Sequence, residues 1–201
     1  MSTPHWIFDL DNTLHDANGY VFPQMKQEMT AYIARHVGIA PEQAQQLHHH
    51  YWQHYGTTLA GLQRHHGPVD AAHFLRETHV LAALEQHLSP MRNLHRTLRQ
   101  LPGRKFLFTN APLAYARRVI AQLGIAHLFD AVQAIEHARL LPKPHAYGYR
   151  RLLQRHQLDP QRCIMVEDTP DNLRTAKQLG MRTVLLGERG SSFHFADLTI
   201  A

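Results

Sequence analysis

Two aspartates near the start of the chain, Asp9 and Asp11, stand two residues apart directly after an apolar run. Residues i and i+2 of an extended segment lie on the same side, so these two carboxylates can converge on one point. Carboxylates this close repel each other unless a cation joins them, and Mg²⁺ is a hard cation that prefers oxygen ligands. The alternative is that residues 9–12 only form a turn or a helix cap.

Two later apolar runs also end in polar side chains. Residues 105–108 are followed by Thr109 and Asn110, and residues 163–166 are followed by an acidic group made of Glu167, Asp168 and, after two further residues, Asp171. Short apolar runs of this kind predict buried strands. In an open α/β sheet, ligands bind at the carboxyl ends of the strands. The sequence therefore predicts one site with groups suited to phosphate and a metal ion.

A lysine adds a positive charge to this set. Lys143 stands between Pro142 and Pro144, ahead of a helical pattern, and the prolines restrict the loop that carries it. The alternative is an ordinary solvated loop lysine. Thr109 likewise has an alternative role as a cap of the following helix, because Pro112 stands near a first-turn position.

The ordered set of these segments resembles the haloacid dehalogenase superfamily of hydrolases, over the whole chain. Its four motifs are matched by Asp9-Leu10-Asp11-Asn12-Thr13, by Thr109, by Lys143, and by Glu167-Asp168 with Asp171. The resemblance implies an α/β fold in which a Rossmann-like parallel sheet is flanked by helices and carries an inserted, all-helical cap.

The resemblance also implies a role for each motif. Asp9 is the expected nucleophile, which forms an aspartyl phosphate, and Asp11 is the expected general acid and then general base. Superfamily members that cleave carbon–halogen bonds lack a carboxylate at the second position, so Asp11 favours phosphate chemistry. Thr109 and Lys143 are expected to bind phosphoryl oxygens, with Asn110 as a phosphate or substrate contact.

The expected cofactor is Mg²⁺. The resemblance assigns it to Asp9, to Asp168 and to the main-chain carbonyl of Asp11, where it screens the anionic nucleophile from the anionic substrate. For Glu167 and Asp171 two options stay open, either binding the ion through water or anchoring the residues that bind it.

The chain between the first two motifs is helical in pattern, which predicts an insertion. We expect a catalytic core at 1–14 and 89–201 and a helical cap at 15–88. In this superfamily such a cap closes over the site and selects the substrate. Helices are predicted at 23–37, 41–55, 57–66, 70–84, 90–101, 112–123, 144–157 and 170–179.

Segments of the predicted cap and of the predicted core are similar to the pyrimidine 5′-nucleotidase branch of the superfamily. The similarity lies in residues 51–62, in the histidines that follow them, in the start of the first motif and in residues 166–173. The branch often has Tyr where this chain has His15. Aromatic cap residues can stack on a base, although the alternative is that they form the core of the cap. Tyr20 and Thr57 are the candidate contacts to the leaving group.

Composition agrees with a globular enzyme. The 201 residues are 44% hydrophobic and include one cysteine, which excludes an internal disulfide, and 18 histidines. Without a cysteine pair the histidines favour surface or inter-helix positions over a zinc site. No apolar stretch approaches the roughly 20 residues that span a bilayer. We expect a cytoplasmic protein without a membrane partner; the sequence does not predict its oligomeric state.

These inferences predict a Mg²⁺-dependent phosphomonoester hydrolase whose partner is a small-molecule phosphomonoester, namely a pyrimidine nucleoside monophosphate. The first alternative is a phosphatase of sugar phosphates or other small metabolites, ahead of a phosphomutase. The formal charge of +5 leaves a non-catalytic RNA-binding protein as another alternative. Nucleic acid is disfavoured as a partner because the basic residues are scattered and repelling carboxylates are costly to keep without a metal.

Overall fold

The computed structural model describes residues 3–79, 87–187 and 194–200. Its internal contacts divide the chain into two compact units, one formed by 1–17 with 88–201 and the other by 18–87. The predicted limits of the insertion were 15 and 88. Residues 15–16 belong to the first unit, since they pair with residues 89–90 in a short antiparallel ladder.

The first unit contains a parallel sheet. In chain order its strands and those of the short ladder are β1 (His5–Phe8), β2 (His15–Asp16), β3 (Ser89–Pro90), β4 (Lys105–Phe108), β5 (Ala131–Gln133), β6 (Cys163–Glu167), β7 (Arg182–Leu186) and β8 (Leu198–Ile200). Within the described ranges the sheet has six strands in the order β5-β4-β1-β6-β7-β8, and all neighbours are parallel. Strand β1 therefore lies between β4 and β6.

Helices complete both units. In chain order they are α1 (Val21–Val37), α2 (Pro41–Tyr55), α3 (Thr58–His65), α4 (Ala71–Thr78), α5 (Leu94–Gln100), α6 (Leu113–Gln122), α7 (Ala146–His156) and α8 (Pro170–Gln178). The first four belong to the second unit and the others to the first. The predicted class, a parallel α/β sheet flanked by helices with an inserted helical segment, is confirmed.

The central strands are apolar because both faces of a parallel sheet are covered. Ile7, Phe106 and Met165 from β1, β4 and β6 pack with residues of α7 and α8 in one buried cluster. Helix α7 comes close to the sheet at Gly148, where a Cβ atom would lie 2.8 Å from the ring of Phe108. The lone cysteine, Cys163, is fully buried in β6, as its apolar surroundings in the sequence indicated.

Some predicted boundaries differ from the structure. The helix predicted at 90–101 begins only at Leu94, because residues 89–90 are held in the ladder with His15 and Asn93 has a left-handed φ of 59°. Of the helix predicted at 70–84, residues 71–78 are helical and residues 80–84 lie outside the described part. None of the helices in the described ranges is both long and apolar enough to cross a membrane.

The second unit has an aromatic core. Tyr51 of α2 is only 3% exposed, and its hydroxyl lies 2.6 Å from Nε2 of His66. Tyr55 makes the same kind of contact with Nε2 of His65 at 2.6 Å. For Tyr51 the structure thus supports the core role over stacking on a base. Trp52, in contrast, is 60% exposed.

Helices α2 and α3 contact each other through Gly61, and this contact supports a stability prediction. A Cβ atom at Gly61 would lie 2.2 Å from Cγ of Tyr51, whose ring is held by its hydrogen bond to His66. Alanine normally favours a helix over glycine by about 1 kcal/mol. Here we expect Gly61→Ala instead to lower the free energy of unfolding by about 1–3 kcal/mol through overpacking.

Urea unfolding followed by circular dichroism measures this change. Gln45→Ala, at an exposed position of α2, is the control and should stay within about 0.5 kcal/mol of the parent. A Gly61→Ala protein more stable than the parent would contradict the close contact between α2 and α3.

Candidate active site

Three adjacent strands carry polar residues to one edge of the sheet. Asp9 follows β1, Thr109 follows β4, and Asp168 follows β6. The main-chain amide of Asp9 donates to the carbonyl of Val166 at 3.0 Å, and that of Thr109 donates to the carbonyl of Gln133 at 3.0 Å. These bonds extend the strand pairing by one residue and fix where the Asp9 and Thr109 side chains begin.

Lys143 lies at the centre of this edge. Its Nζ donates to Oδ1 of Asp9 at 2.6 Å, to Oε2 of Glu167 at 2.6 Å and to the carbonyl of Phe108 at 3.0 Å. The side chain is 1% exposed, so burial alone would lower the pKa of its ammonium, but the two carboxylates raise this pKa above its usual value. Lys143 is therefore a buried, charged bridge between two strand ends and not a solvated loop lysine.

Asn110 holds the loop that carries Lys143. Its Oδ1 accepts from the main-chain amide of Lys143 at 2.7 Å, and its Nδ2 donates to the main-chain carbonyl of Lys143 at 3.1 Å. The side chain predicted to contact substrate is thus bound, in the structure, to the backbone of the lysine.

The acidic residues form a cluster next to the lysine. Asp9, Glu167 and Asp168 each offer a carboxylate oxygen, and these oxygens lie within 4.8 Å of one another. Burial and then the charge of Glu167 raise the pKa of Asp9 to about 7, despite the opposing effect of Lys143. Three carboxyl groups thus lie close together beside a single ammonium, and repulsion by Glu167 contributes to the raised pKa of Asp9. This oxygen-rich donor set fits a hard divalent cation such as Mg²⁺.

The other predicted acidic residues lie differently. Asp171 is exposed, pairs with Arg174 at 2.7 Å, and is not part of the acidic cluster. Asp11 is 15% exposed, and its Oδ1 accepts from the hydroxyl of Tyr115 at 2.6 Å and lies 2.9 Å from Nε2 of His15. Burial and the neighbouring Asp11 raise the pKa of the Tyr115 hydroxyl, so Tyr115 stays a hydrogen-bond donor.

Sequence reasoning missed the contacts that His15 and Tyr115 make with Asp11. His15 stood out only as a departure from the pyrimidine 5′-nucleotidase pattern. The apolar face of α6 predicts that Tyr115 is buried, but no sequence signal connects its hydroxyl to an aspartate 104 residues away.

Three residues that are predicted to contact the substrate, Thr109, Thr57 and Tyr20, make local hydrogen bonds or ring contacts in the structure. Oγ1 of Thr109 accepts from the amide of Ala111 at 3.0 Å. Thr109 does not cap α6, since the first amide of that helix donates to the carboxylate of Glu136 at 3.0 Å. In the second unit, Thr57 caps α3 and the ring of Tyr20 stacks on that of His87, 3.8 Å between centroids.

Comparison with known proteins agrees with this arrangement. Residues 5–180 match the family described as haloacid dehalogenase-like hydrolase. This chain belongs to the haloacid dehalogenase-like hydrolase family. The predicted superfamily is thereby confirmed, and the family match covers the residues of the candidate active site.

Two curated relatives of this haloacid dehalogenase-like hydrolase align along most of the chain. Phosphate metabolism protein 8 of Saccharomyces cerevisiae is 26% identical over 194 residues, which cover 90% of this chain and 60% of that protein. Hexitol phosphatase A of Escherichia coli is 27% identical over 185 residues, which cover 89% of this chain and 81% of that protein. The chain thus spans about 60% of the length of the yeast relative.

A solved structure shares the fold of this haloacid dehalogenase-like hydrolase. The HAD phosphatase from Thermococcus onnurineus superposes with a TM-score of 0.71 at 18% identity, over 98% of this chain and 93% of that chain. At this identity the similarity concerns the fold alone.

Proposed function

We propose that the protein is a Mg²⁺-dependent phosphomonoester hydrolase that works through an aspartyl phosphate on Asp9. The observation that carries this proposal is the buried bridge from Lys143 to Asp9 and Glu167, beside the carboxylate of Asp168. A buried carboxylate with a fixed ammonium 2.6 Å away is suited to attack an anionic group.

Asp9 and Asp11 share the chemistry in two steps. An oxygen of Asp9 bonds to phosphorus while the bond to the leaving oxygen breaks, and that oxygen takes a proton from Asp11. Water then gives a proton to Asp11 as its oxygen attacks phosphorus, and the bonding electrons return to Asp9. The sum is one phosphomonoester and one water consumed, with one alcohol and one phosphate released.

The neighbouring residues bind the metal ion and position Lys143. Asp9, Asp168 and the main-chain carbonyl of Asp11 would hold Mg²⁺, which reduces the repulsion between nucleophile and substrate. Glu167 anchors Lys143 instead of binding the ion, because its Oε2 accepts from Lys143 and its Oε1 from the amide of Thr169 at 3.2 Å. Asn110 supports this anchoring by binding the backbone of the lysine.

Other residues complete the assignment. Thr109 offers its hydroxyl to a phosphoryl oxygen. Asp171, which is exposed and paired with Arg174, supports the surface of α8 and takes no part in the ion site. The second unit, placed in the chain between the first and second motifs, is the segment that selects the substrate.

Two substrate classes are proposed. The motif resemblance supports a pyrimidine nucleoside monophosphate, with Tyr20 and Thr57 as contacts. The 27% identity to hexitol phosphatase A supports a phosphorylated sugar or sugar alcohol. Both are small phosphomonoesters and require the same chemistry at Asp9, so they differ only in how the leaving group is recognised.

The test is phosphate release from UMP, CMP, dUMP, AMP, GMP and a set of sugar and hexitol phosphates, over a Mg²⁺ titration and with EDTA. We expect Mg²⁺-dependent release, and the substrate with the highest kcat/KM identifies the class. Preference for UMP or CMP supports the nucleotidase, and preference for hexitol phosphates supports the alternative. Salt-dependent RNA binding without turnover of any substrate would overturn the proposal.

A further inference from the structure

The carboxylate of Asp11 is held at one of its two oxygens. The hydroxyl of Tyr115 donates to Oδ1 at 2.6 Å, and Nε2 of His15 lies 2.9 Å from the same oxygen. Among the described residues, both hydrogen bonds to this carboxylate end on Oδ1. The two oxygens of Asp11 are therefore not equivalent.

Both partners come from well-packed parts of the first unit. Tyr115 lies in the first turn of α6 and is 2% exposed. His15 is fully buried in β2, which pairs with β3. A carboxylate bound to two buried, packed side chains has little freedom to rotate, so its second oxygen keeps one direction.

The hydrogen-bonding capacity of the histidine agrees with a donor role. Its Nδ1 is buried and has no hydrogen-bond partner within the described ranges. A proton on Nδ1 would be a buried donor without an acceptor, which costs more than an unfilled lone pair. The ring proton therefore belongs on Nε2, where it meets Oδ1 of Asp11.

We infer that Tyr115 and His15 are positioning residues that fix the Asp11 carboxylate so that Oδ2 exchanges the proton. This inference rests on the proposed hydrolysis through Asp9 and Asp11. When the bond between phosphorus and the leaving oxygen breaks, its electron pair stays on that oxygen, which takes the proton from Oδ2. In the second step Oδ2 recovers a proton from the attacking water.

A comparison of leaving groups tests this role. An alkoxide needs the proton from Asp11, whereas p-nitrophenolate is a weak base that leaves without it. We expect Tyr115→Phe to lower kcat/KM for an alkyl phosphate by about tenfold or more, but to lower kcat/KM for p-nitrophenyl phosphate by less than about threefold. Both substrates are measured with saturating Mg²⁺.

Tyr149→Phe is the matched control. Tyr149 is also fully buried, and its hydroxyl donates to the carbonyl of Asn172 at 2.8 Å and not to Asp11. Loss of this hydroxyl should change kcat/KM for both substrates by the same factor. A second pair of variants examines the histidine: His15→Gln keeps an N–H near Oδ1 and should retain more of the alkyl-phosphate activity than His15→Leu.

Equal losses of kcat/KM on the two substrates in Tyr115→Phe would overturn the positioning role. So would a loss in Tyr149→Phe that is selective for the alkyl phosphate. A selective loss confined to Tyr115→Phe and His15→Leu supports it. If the unaltered protein released no phosphate from either substrate, the proposed hydrolase function would fail first, and this inference would fail with it.

Discussion

Replacement of Asp9 by asparagine is expected to reduce phosphate release by at least about a thousandfold. The amide of asparagine cannot form the acyl phosphate that the carboxylate forms. The same change removes one of three carboxylates from the acidic cluster and one of the two negative charges in contact with Lys143. The measurement is single-turnover phosphate release with saturating Mg²⁺.

A chemical trap distinguishes a lost nucleophile from a disturbed site. An aspartyl phosphate is an acyl phosphate, so the unaltered protein quenched in acid during turnover should carry a phosphoryl label that hydroxylamine removes. The Asp9→Asn protein should carry none. Asp159→Asn is the control, because Asp159 is an exposed helix cap and asparagine also caps.

Persistence of the hydroxylamine-sensitive label in Asp9→Asn would contradict the assignment of the nucleophile. Equal losses of activity in the Asp9 and Asp159 variants would indicate a general effect on folding. The first result would require another residue of the edge formed by β4, β1 and β6 to carry the reaction.

Replacement of Lys143 by methionine has the second large expected effect. It leaves Asp9 and Glu167 buried without the ammonium that lies 2.6 Å from each. Removing one partner of a buried ion pair costs about 3–5 kcal/mol of the free energy of unfolding. Activity should also fall, by about a hundredfold or more, because a fixed cation at the developing charge is lost.

The loss of stability should depend on Mg²⁺. In EDTA the Lys143→Met protein lacks any compensating cation, whereas Mg²⁺ bound to the acidic cluster restores part of the stability by mass action. Urea unfolding with and without Mg²⁺ measures this difference. A second change, Glu167→Gln, should destabilise the Lys143→Met protein less than it destabilises the parent, since the two residues are in direct contact.

Lys105→Met is the control for a buried lysine. Lys105 is 8% exposed, and its Nζ donates to the carbonyls of Leu101 at 2.7 Å and Gly103 at 3.3 Å. None of the carboxylates in the described ranges pairs with Nζ of Lys105, so the stability of this variant should not depend on Mg²⁺. A Lys143→Met protein as stable as the parent in EDTA would contradict the bridge.

The sequence by itself was sufficient for the fold class and the family. Asp9, Thr109 and Asp168 each follow a short apolar run, and parallel strands bring such ends to one edge. The confirmed parallel sheet follows from this local pattern, whereas the confirmed superfamily was identified from the resemblance of the four motifs. The sequence did not locate the strands at 131–133, 182–186 and 198–200. Whether such a short segment becomes a strand depends on the strands that lie beside it in the sheet.

The tertiary structure alone decided how the site is connected. Lys143 meets Asp9 across 134 residues of chain, and Tyr115 meets Asp11 across 104. It also showed that Asn110 binds the backbone of Lys143 and that Tyr51 is buried in the second unit. Such pairings depend on how whole elements pack, whereas a sequence pattern reports only the face on which a residue lies.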